Sequence, residues 1–139
     1  MRLSLGPDLA ALKAAALIQI DAEAEATRLA FVTGGSGQAL EYQATEAQGR
    51  AAVAAHAAGQ TLDPADYPFV VAEATAFAEV GITVSLLDAA QQVVVLADAW
   101  ETTGSLIKAL RRGAKLRVEA ATTPAQVIAA ASGIPWPTP

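Results

Sequence analysis

Apolar residues recur every three or four positions along most of the chain, which is the period of one face of an α-helix. The first such stripe comprises Leu9, Leu12, Ala16, Ile20, Ala24, Thr27 and Phe31. It predicts helix 1 over about residues 8–32, with the Asp8 carboxylate near the N-terminus, where the helix dipole favours negative charge. The glycine-dense segment Thr33–Gly37 predicts the turn that ends this helix.

A stripe of small side chains predicts helix 2 over about residues 38–58, with Ser36 as the N-cap and Gly59 just beyond the C-terminus. The stripe comprises Leu40, Ala44, Ala47, Ala51, Ala54 and Ala58. Alanine lets a neighbouring helix approach closely, so we expect this stripe to be buried. On that interpretation Ala47→Leu overpacks the contact. We expect helices 1 and 2 to form an antiparallel hairpin through Gly34–Gly37.

Three further helices are predicted towards the C-terminus. Pro68 opens a short helix 3 over about 68–79, which Gly81 ends. Ser85 resembles the cap of helix 4, whose four-three alternation runs without a break over about 36 residues, or about 54 Å. Gly104 is its weak point, and the sequence leaves open whether the helix is continuous, bent or interrupted there. The helix 4 stripe comprises Leu86, Ala90, Val93, Ala97, Trp100, Gly104, Ile107, Arg111, Ala114, Val118 and Ala121.

The C-terminal segment carries a strong capping signal followed by a proline-rich tail. Thr123 as N-cap, Pro124 at the first helical position and Gln126 three residues after the cap predict a terminal helix over about 124–132. The alternating prolines of residues 135–139 exclude helix there. The sequence therefore predicts one helical domain over residues 1–134 and a proline-rich tail over 135–139.

Composition agrees with an all-α helical bundle that has a helix 1–helix 2 hairpin, one long helix and a short terminal helix. Of the 139 residues, 35 are alanine and only seven are aromatic, and charged residues make up 17%. Alanine favours helices and is depleted in strands, which argues against a β-sandwich or barrel. No apolar run is long enough to span a membrane, and no signal peptide pattern is present, so we expect an unsecreted protein that does not bind membranes.

Candidate catalytic and metal-binding groups are few. The chain has no cysteine and a single histidine, His56, which excludes thiolate sites and any site needing two imidazoles. Gly34–Gly37 follows a helix rather than a strand and lacks the Lys-Ser/Thr pair of a phosphate-binding loop. The acidic residues have no Glu-x-x-His pattern for a di-metal bundle. We therefore expect no catalytic residue, no metal, no cofactor and no enzymatic activity.

The charges are unevenly distributed along the chain. Residues 1–107 carry 13 acidic against four basic residues, although the net charge is only −5. Five of the nine basic residues lie within ten positions: Lys108, Arg111, Arg112, Lys115 and Arg117. This cluster has no interleaved aromatic residues to stack on bases, which disfavours nucleic acid as the partner. We favour pairing with acidic residues of the same chain or of a neighbouring subunit.

Six residues are candidates for a protein interface. They are Trp100, Lys108, Arg111, Arg112, Lys115 and Trp136. Because Arg111 lies on the apolar stripe of helix 4, a strictly intramolecular core would bury its charge at a cost of several kcal/mol. We therefore expect the basic residues to lie near a subunit or partner interface, with Trp100 closer to the interior. Trp136, between two prolines, is suited to docking on another chain.

The order of several motifs resembles that of small alanine-rich tail proteins of bacteriophages and prophages. Those proteins pair an Ile-Asp-x-x-Ala-Glu helix, matched by 20–28, with a Thr-x-Gly-x-Gly-Gln-x-x-x-Tyr turn, matched by 31–43. A Tyr-Pro then opens their next helix, as Tyr67-Pro68 does here. Their following helix leads from Ser/Thr-Leu-x-acid-x-Ala to a Trp and an Arg-x-x-Lys, as Ser85, Trp100, Arg112 and Lys115 do here.

The resemblance covers about residues 17–121 and departs from the pattern at two places. A lysine expected shortly after the motif tyrosine is Thr45 here, and Arg111-Arg112 doubles the usual basic position. The resemblance implies a structural component of a phage tail, tail tip or fibre attachment, acting as a non-enzymatic adaptor in a homo-oligomer. Such a protein would contact other tail or fibre proteins and would be found in the virion tail, and in the host cytoplasm during assembly.

Three other function classes stay open. The first is a tail-fibre assembly chaperone that is absent from the mature virion. The second is a small helical enzyme or ligand-binding bundle, which the missing nucleophiles and metal ligands disfavour. The third is a nucleic-acid binder acting through the basic helix, whose binding would depend strongly on salt.

Overall fold

The computed structural model describes residues 8–32 and 35–139, and in this part of the chain the fold is all-α, with five α-helices and no strand. The helices are α1 (Leu9–Phe31), α2 (Ser36–Ala57), α3 (Pro68–Glu79), α4 (Leu86–Ala120) and α5 (Pro124–Ala131). One turn of 3₁₀ helix, Pro64–Asp66, precedes α3. The predicted all-α class is confirmed, and each predicted helix is present with ends that differ by at most two residues.

The helix ends follow the capping signals of the sequence. Asp8 caps α1 by accepting a hydrogen bond from the Ala10 amide, and Ser85 accepts one from the Asp88 amide at the start of α4. Beyond α2, Gly59 has a φ of 76°, and its amide donates to the His56 carbonyl, as in a Schellman motif. Ser36 differs from its prediction, since it is the first residue of α2 and Gly35 occupies the N-cap.

The hairpin, the continuity of α4 and the domain division are the remaining parts of the predicted layout. The helix 1–helix 2 turn includes residues 33 and 34, which lie outside the described residues, so the hairpin stays a prediction. Gly104 lies within α4, which is one α-helix from Leu86 to Ala120, so the helix is not interrupted there. The division into a domain over 1–134 and a tail also stays a prediction.

The chain forms two compact units, each with its own core. The terminal unit comprises Met1–Val32 and Thr102–Pro139, and the central unit comprises Thr33–Glu101. The core of the terminal unit is formed by Ala16, Ile20, Ala114, Val118, Ala121, Val127, Ala130 and Ala131. The core of the central unit is smaller and is formed by Ala52, Val70, Ala89 and Ala90.

The stripes predicted for helices 1 and 4 are the faces that pack inward. On α1, Ala16, Ile20 and Ala24 are buried, as are Ala90, Val93 and Ile107 on α4. The predicted stripe of α2 is wrong, because Leu40 is 67% exposed and Ala47, Ala51, Ala54 and Ala58 are exposed as well. Among the α2 side chains that the structure describes, the buried positions are Gly49 and Ala52, so the helix is rotated from the predicted orientation.

Gly49 marks a close approach between α2 and α4 in the central unit. A Cβ atom placed on Gly49 would lie 2.7 Å from Cγ1 of Val93, closer than real side chains approach each other. Arg50, next to it, joins the same two helices through a 2.6 Å ion pair with Asp98, and it also pairs with Glu46 at 3.0 Å. The hydrogen bonds that the Arg50 guanidinium donates, to Asp98 first and Glu46 second, raise its pKa.

The rotated face of α2 predicts opposite effects of leucine at two nearby positions. Gly49→Leu should reduce the free energy of unfolding by about 1–3 kcal/mol, because the new side chain must displace Val93. Ala47→Leu, on the exposed face of the same helix, should change it by less than about 0.5 kcal/mol. Chemical denaturation followed by circular dichroism measures both. A larger loss for Ala47→Leu than for Gly49→Leu would contradict the observed rotation.

Candidate interaction site

The basic cluster of α4 divides into an inward pair and an outward group. Arg111 and Lys115 turn towards α1, where both pair with Asp21: Nη1 of Arg111 lies 3.3 Å from Oδ1, and Nζ of Lys115 lies 3.0 Å from Oδ2. The two cations are partly covered, whereas the Asp21 carboxylate is exposed. These two cations therefore pair within the chain, which is one of the two arrangements expected from the sequence.

The arrangement around Asp21 holds its carboxylate in the ionised form. The hydrogen bond from Lys115 is the main cause of the lowered pKa of Asp21, and Arg111 adds a second hydrogen bond. Burial acts in the opposite direction, and the electrostatic attraction of both cations adds to the lowering. Arg111 thus lies on the inward stripe of α4 with its charge compensated, although its Nε is buried without an acceptor among the described residues.

A third cation, Lys13, links α1 to the C-terminal end of α4 in the terminal unit. Nζ of Lys13 on α1 donates a 2.9 Å hydrogen bond to the main-chain carbonyl of Glu119. Since α4 ends at Ala120, this carbonyl belongs to the last turn, whose carbonyl groups have no partner within the helix. Lys13 therefore both caps α4 and lies where the helix dipole favours positive charge.

The outward group consists of Lys108, Arg112 and Arg117. All three are exposed, and among the described residues none of them forms an ion pair. The guanidinium of Arg117 folds back over Gly113, with Nη1 3.5 Å from the position that a side chain on Gly113 would take. Lys108 and Arg112 therefore remain candidates for a protein interface, and Arg117 is a further candidate.

The position of Trp136 corrects one expectation. It was expected to dock on another chain, but it is half-buried against the core of its own terminal unit, together with Ile134. Its main-chain amide donates to the Ile134 carbonyl at 2.8 Å, and its indole N–H is buried without an acceptor in the described part of the chain. A large aromatic ring gains enough from burial to hold a proline-rich segment in place.

Trp100 and His56 lie where the sequence placed them. Trp100 is half-buried on the inward face of α4, and His56 is exposed in the last turn of α2. Gly35 and Gly37 are exposed, while Gly34 lies outside the described residues. Among residues 8–32 and 35–139, no group of three or more acidic or histidine side chains is placed to hold a metal ion, and no helix is long and apolar enough to cross a membrane.

The structure also shows apolar surface that sequence analysis missed. In the described residues the buried hydrophobic side chains larger than alanine are six: Ile20, Val70, Val93, Ile107, Val118 and Val127. Twelve large hydrophobic side chains are exposed, among them Phe69 and Val80 of the α3 region and Leu106 and Leu116 of α4. Further large apolar side chains, such as Leu12, Leu17 and Leu62, are partly buried against the two cores, so the twelve exposed ones form an additional, outward apolar surface.

A second four-three alternation on α4 was the sequence signal for part of this surface. It lies two residues after the inward stripe and comprises Val95, Ala99, Thr102, Leu106, Ala109, Gly113, Leu116 and Ala120. Two residues correspond to about 200° around a helix, so this second stripe occupies the opposite side. Its members are exposed except for Gly113, which is partly covered.

An open depression continues this surface at the end of α4. It has a volume of about 420 Å³ and is lined by Arg117, Ala120, Ala121, Gln126, Ala129 and Ala130. Gln126 is held in place because its Oε1 accepts hydrogen bonds from the amide and the hydroxyl of Thr122. The walls are mainly methyl groups, so the depression is suited to an apolar side chain.

The Asp21 pairing predicts a small, pH-dependent contribution to stability. Because the pKa of Asp21 is lowered in the fold, the pairing stabilises the protein above the ordinary aspartate value of 3.8 and is lost as the pH falls below it. Asp21→Asn should cost at most about 1 kcal/mol at pH 7, since the carboxylate is exposed. The difference in the free energy of unfolding between wild type and Asp21→Asn should disappear in acid. Glu119→Gln, which breaks no ion pair among the described residues, should show no such pH-dependent difference.

The docking of Trp136 predicts different effects of two substitutions. Trp136→Ala should lower the free energy of unfolding by about 1–3 kcal/mol, less than for a fully buried tryptophan, because the ring is half-buried. Trp136→Phe should cost less, since it retains an aromatic ring and removes the N–H that has no acceptor. Thermal unfolding of the two variants checks this, and equal stability of Trp136→Ala and wild type would show that the ring does not pack on the core.

Comparisons with known proteins add no identification to this geometry. Neither a protein-family model, nor a curated protein, nor a solved structure shows a significant match to the chain. The function is therefore inferred from the residues themselves. The features that bear on it are the outward apolar faces, the outward cations and the paired cations beside Asp21.

Proposed function

We propose that this chain is a non-enzymatic structural subunit of a phage-like tail, tail tip or fibre attachment. The proposal combines the motif resemblance over residues 17–121 with one observation from the fold. Among the described residues twelve large hydrophobic side chains are exposed and six are buried. A helix that is apolar on more than one side usually packs against partners on more than one side. A subunit that completes its packing in an assembly accounts for this distribution.

The interface candidates fit such a role unequally. Lys108 and Arg112 are exposed and border the outward stripe of α4, so they are available to a partner. Arg111 and Lys115 pair with Asp21 and hold α1 to α4. Trp136 packs on the core of its own unit, and Trp100 is half-buried on the inward face of α4. The expected partners are other tail or fibre proteins and further copies of this chain.

The alternative is an assembly chaperone that binds a fibre protein and is absent from the mature particle. The same exposed apolar faces support it, since a transient partner also needs a surface to bind. The two proposals differ in where the chain is found after assembly. A structural subunit stays in the virion tail, whereas a chaperone remains in the host cytoplasm.

Mass spectrometry of gradient-purified particles from cells that encode the chain distinguishes these proposals. For a structural subunit we expect the chain at a fixed ratio to the other tail proteins across the particle peak, with an abundant cytoplasmic protein as the contamination control. A chaperone would be missing from the particles and would sediment with unassembled fibre protein. If the chain is found with neither, both proposals are wrong.

A further inference from the structure

The two compact units carry charges of opposite sign. The central unit, Thr33–Glu101, contains nine acidic residues and a single arginine, which gives a net charge of −8. In the terminal unit, Met1–Val32 with Thr102–Pro139, eight basic and five acidic residues give a net charge of +3. Together they make up the −5 of the whole chain. A terminal unit of one molecule is therefore attracted to the central unit of another.

The terminal unit presents an apolar stripe bordered by cations, here called the α4 outer face. Its centre consists of Leu106, Ala109, Gly113 and Leu116, and Leu116 is 48% exposed. At about 100° per residue, Arg112 lies on one side of this stripe and Arg117 on the other. Both guanidinium groups lack an ion-pair partner among the described residues, so their charge is available.

The central unit presents a matching stripe bordered by acids, here called the α3 outer face. Its centre consists of Phe69, Ala72, Ala76 and Val80, and Val80 is 73% exposed. By the same helical spacing Glu73 lies on one side and Glu79 on the other. Both carboxylates are exposed, and neither forms an ion pair within the described residues.

We propose that the α3 outer face of one molecule docks on the α4 outer face of a second molecule of this chain. The two stripes have nearly the same length, about 16 Å from Phe69 to Val80 and about 15 Å from Leu106 to Leu116. Alanines meet alanine and glycine at the centre, so the two helices can approach to about 8 Å once the Arg117 side chain, which folds over Gly113, turns to the rim. Glutamates border one stripe and arginines the other, so the rims attract.

Pairing of two α4 outer faces with each other is disfavoured by the same charges. The stripe is nearly symmetric about Arg111, with Leu106 and Leu116 at equal distances along the helix. A two-fold antiparallel pair would therefore place Arg112 opposite the partner's copy of itself, and like charges so placed repel. The acidic α3 outer face offers an equally long apolar stripe without this repulsion.

The contact joins two different surfaces, so each molecule keeps one free face after docking. Such head-to-tail contacts build rings when the rotation closes and filaments when it does not. This inference does not depend on membership of a phage tail. Its test uses the purified chain alone, so its failure would leave the particle experiment unaffected.

Two substitutions, one on each face, test the contact by complementation. Leu116→Asp blocks the α4 outer face, and Val80→Asp blocks the α3 outer face. Each variant alone should have the 14.1 kDa mass of one chain by light scattering, whereas wild type forms larger species. Mixed in equal amounts, the variants should give a complex of twice that mass that grows no further. Each retains one intact face, and these two intact faces are complementary.

A substitution on α1, outside both faces, provides the control. Ile18→Asp, at a 72% exposed position of α1, should associate as wild type does, and circular dichroism should show unchanged helicity in all three variants. The mixed complex should dissociate as salt rises, because exposed charges border both faces. The proposal is wrong if wild type has the mass of one chain at all concentrations, or if the mixture does not pair. It is also wrong if Val80→Asp alone forms a dimer, which would indicate α4–α4 pairing.

Discussion

Close contact between helices through alanine and glycine is the constraint on which both units depend. An alanine side chain buries little area, so it contributes to stability only when the backbone of the neighbouring helix is near enough to touch it. Gly49 shows how far this goes, since a Cβ atom at that position would lie 2.7 Å from Val93. Nine of the fifteen buried hydrophobic residues in the described part of the chain are alanines. The cores are therefore thin, and small changes in volume disturb them.

Thin cores make the few larger contacts important. The Trp136 ring and Ile134 cover one side of the terminal core, and Arg111, Lys115 and Lys13 fix α1 to α4 by charge and hydrogen bonding. In the central unit Arg50 has the corresponding role between α2 and α4. Each of these contacts contributes only modestly to the free energy of unfolding where it is exposed. Because a core of methyl groups itself contributes little, these contacts make up a larger share of the total stability.

The sequence predicted the helices better than it predicted which of their faces are buried. Capping residues such as Asp8, Ser85 and Thr123 act locally, so they could be read without knowing the fold. The stripe of α4 was also predicted correctly, because Val93, Trp100 and Ile107 supply large side chains to an unbroken four-three alternation. On α2 nearly every side of the helix carries alanine, so several stripes fit the same period. Gly49 determines which face of α2 is buried, because its lack of a side chain permits close contact with α4. A glycine produces no hydrophobic signal in the sequence, so this face could not be recognised.

The candidate site was predicted only in part, for the same physical reason. Charge clustering pointed to the basic residues of α4, but the period of a helix does not say which of them meets an acid ninety residues away, as Arg111 and Lys115 meet Asp21. The tail was assigned to another chain because five residues cannot bury a tryptophan on their own, although they can lay it on an existing core.

The two apolar stripes of α4 explain why a single helix can serve both a core and a partner. They are two residues apart in sequence and so lie on opposite sides of the helix. The inward stripe carries the larger β-branched residues, Val93, Ile107 and Val118, whose stiff side chains fill a defined space. The outward stripe has leucines only at 106 and 116, with Ala109 and Gly113 between them. Three exposed side chains and one glycine of this kind cost little solubility when cations border them, and still present a surface that a second helix can approach closely.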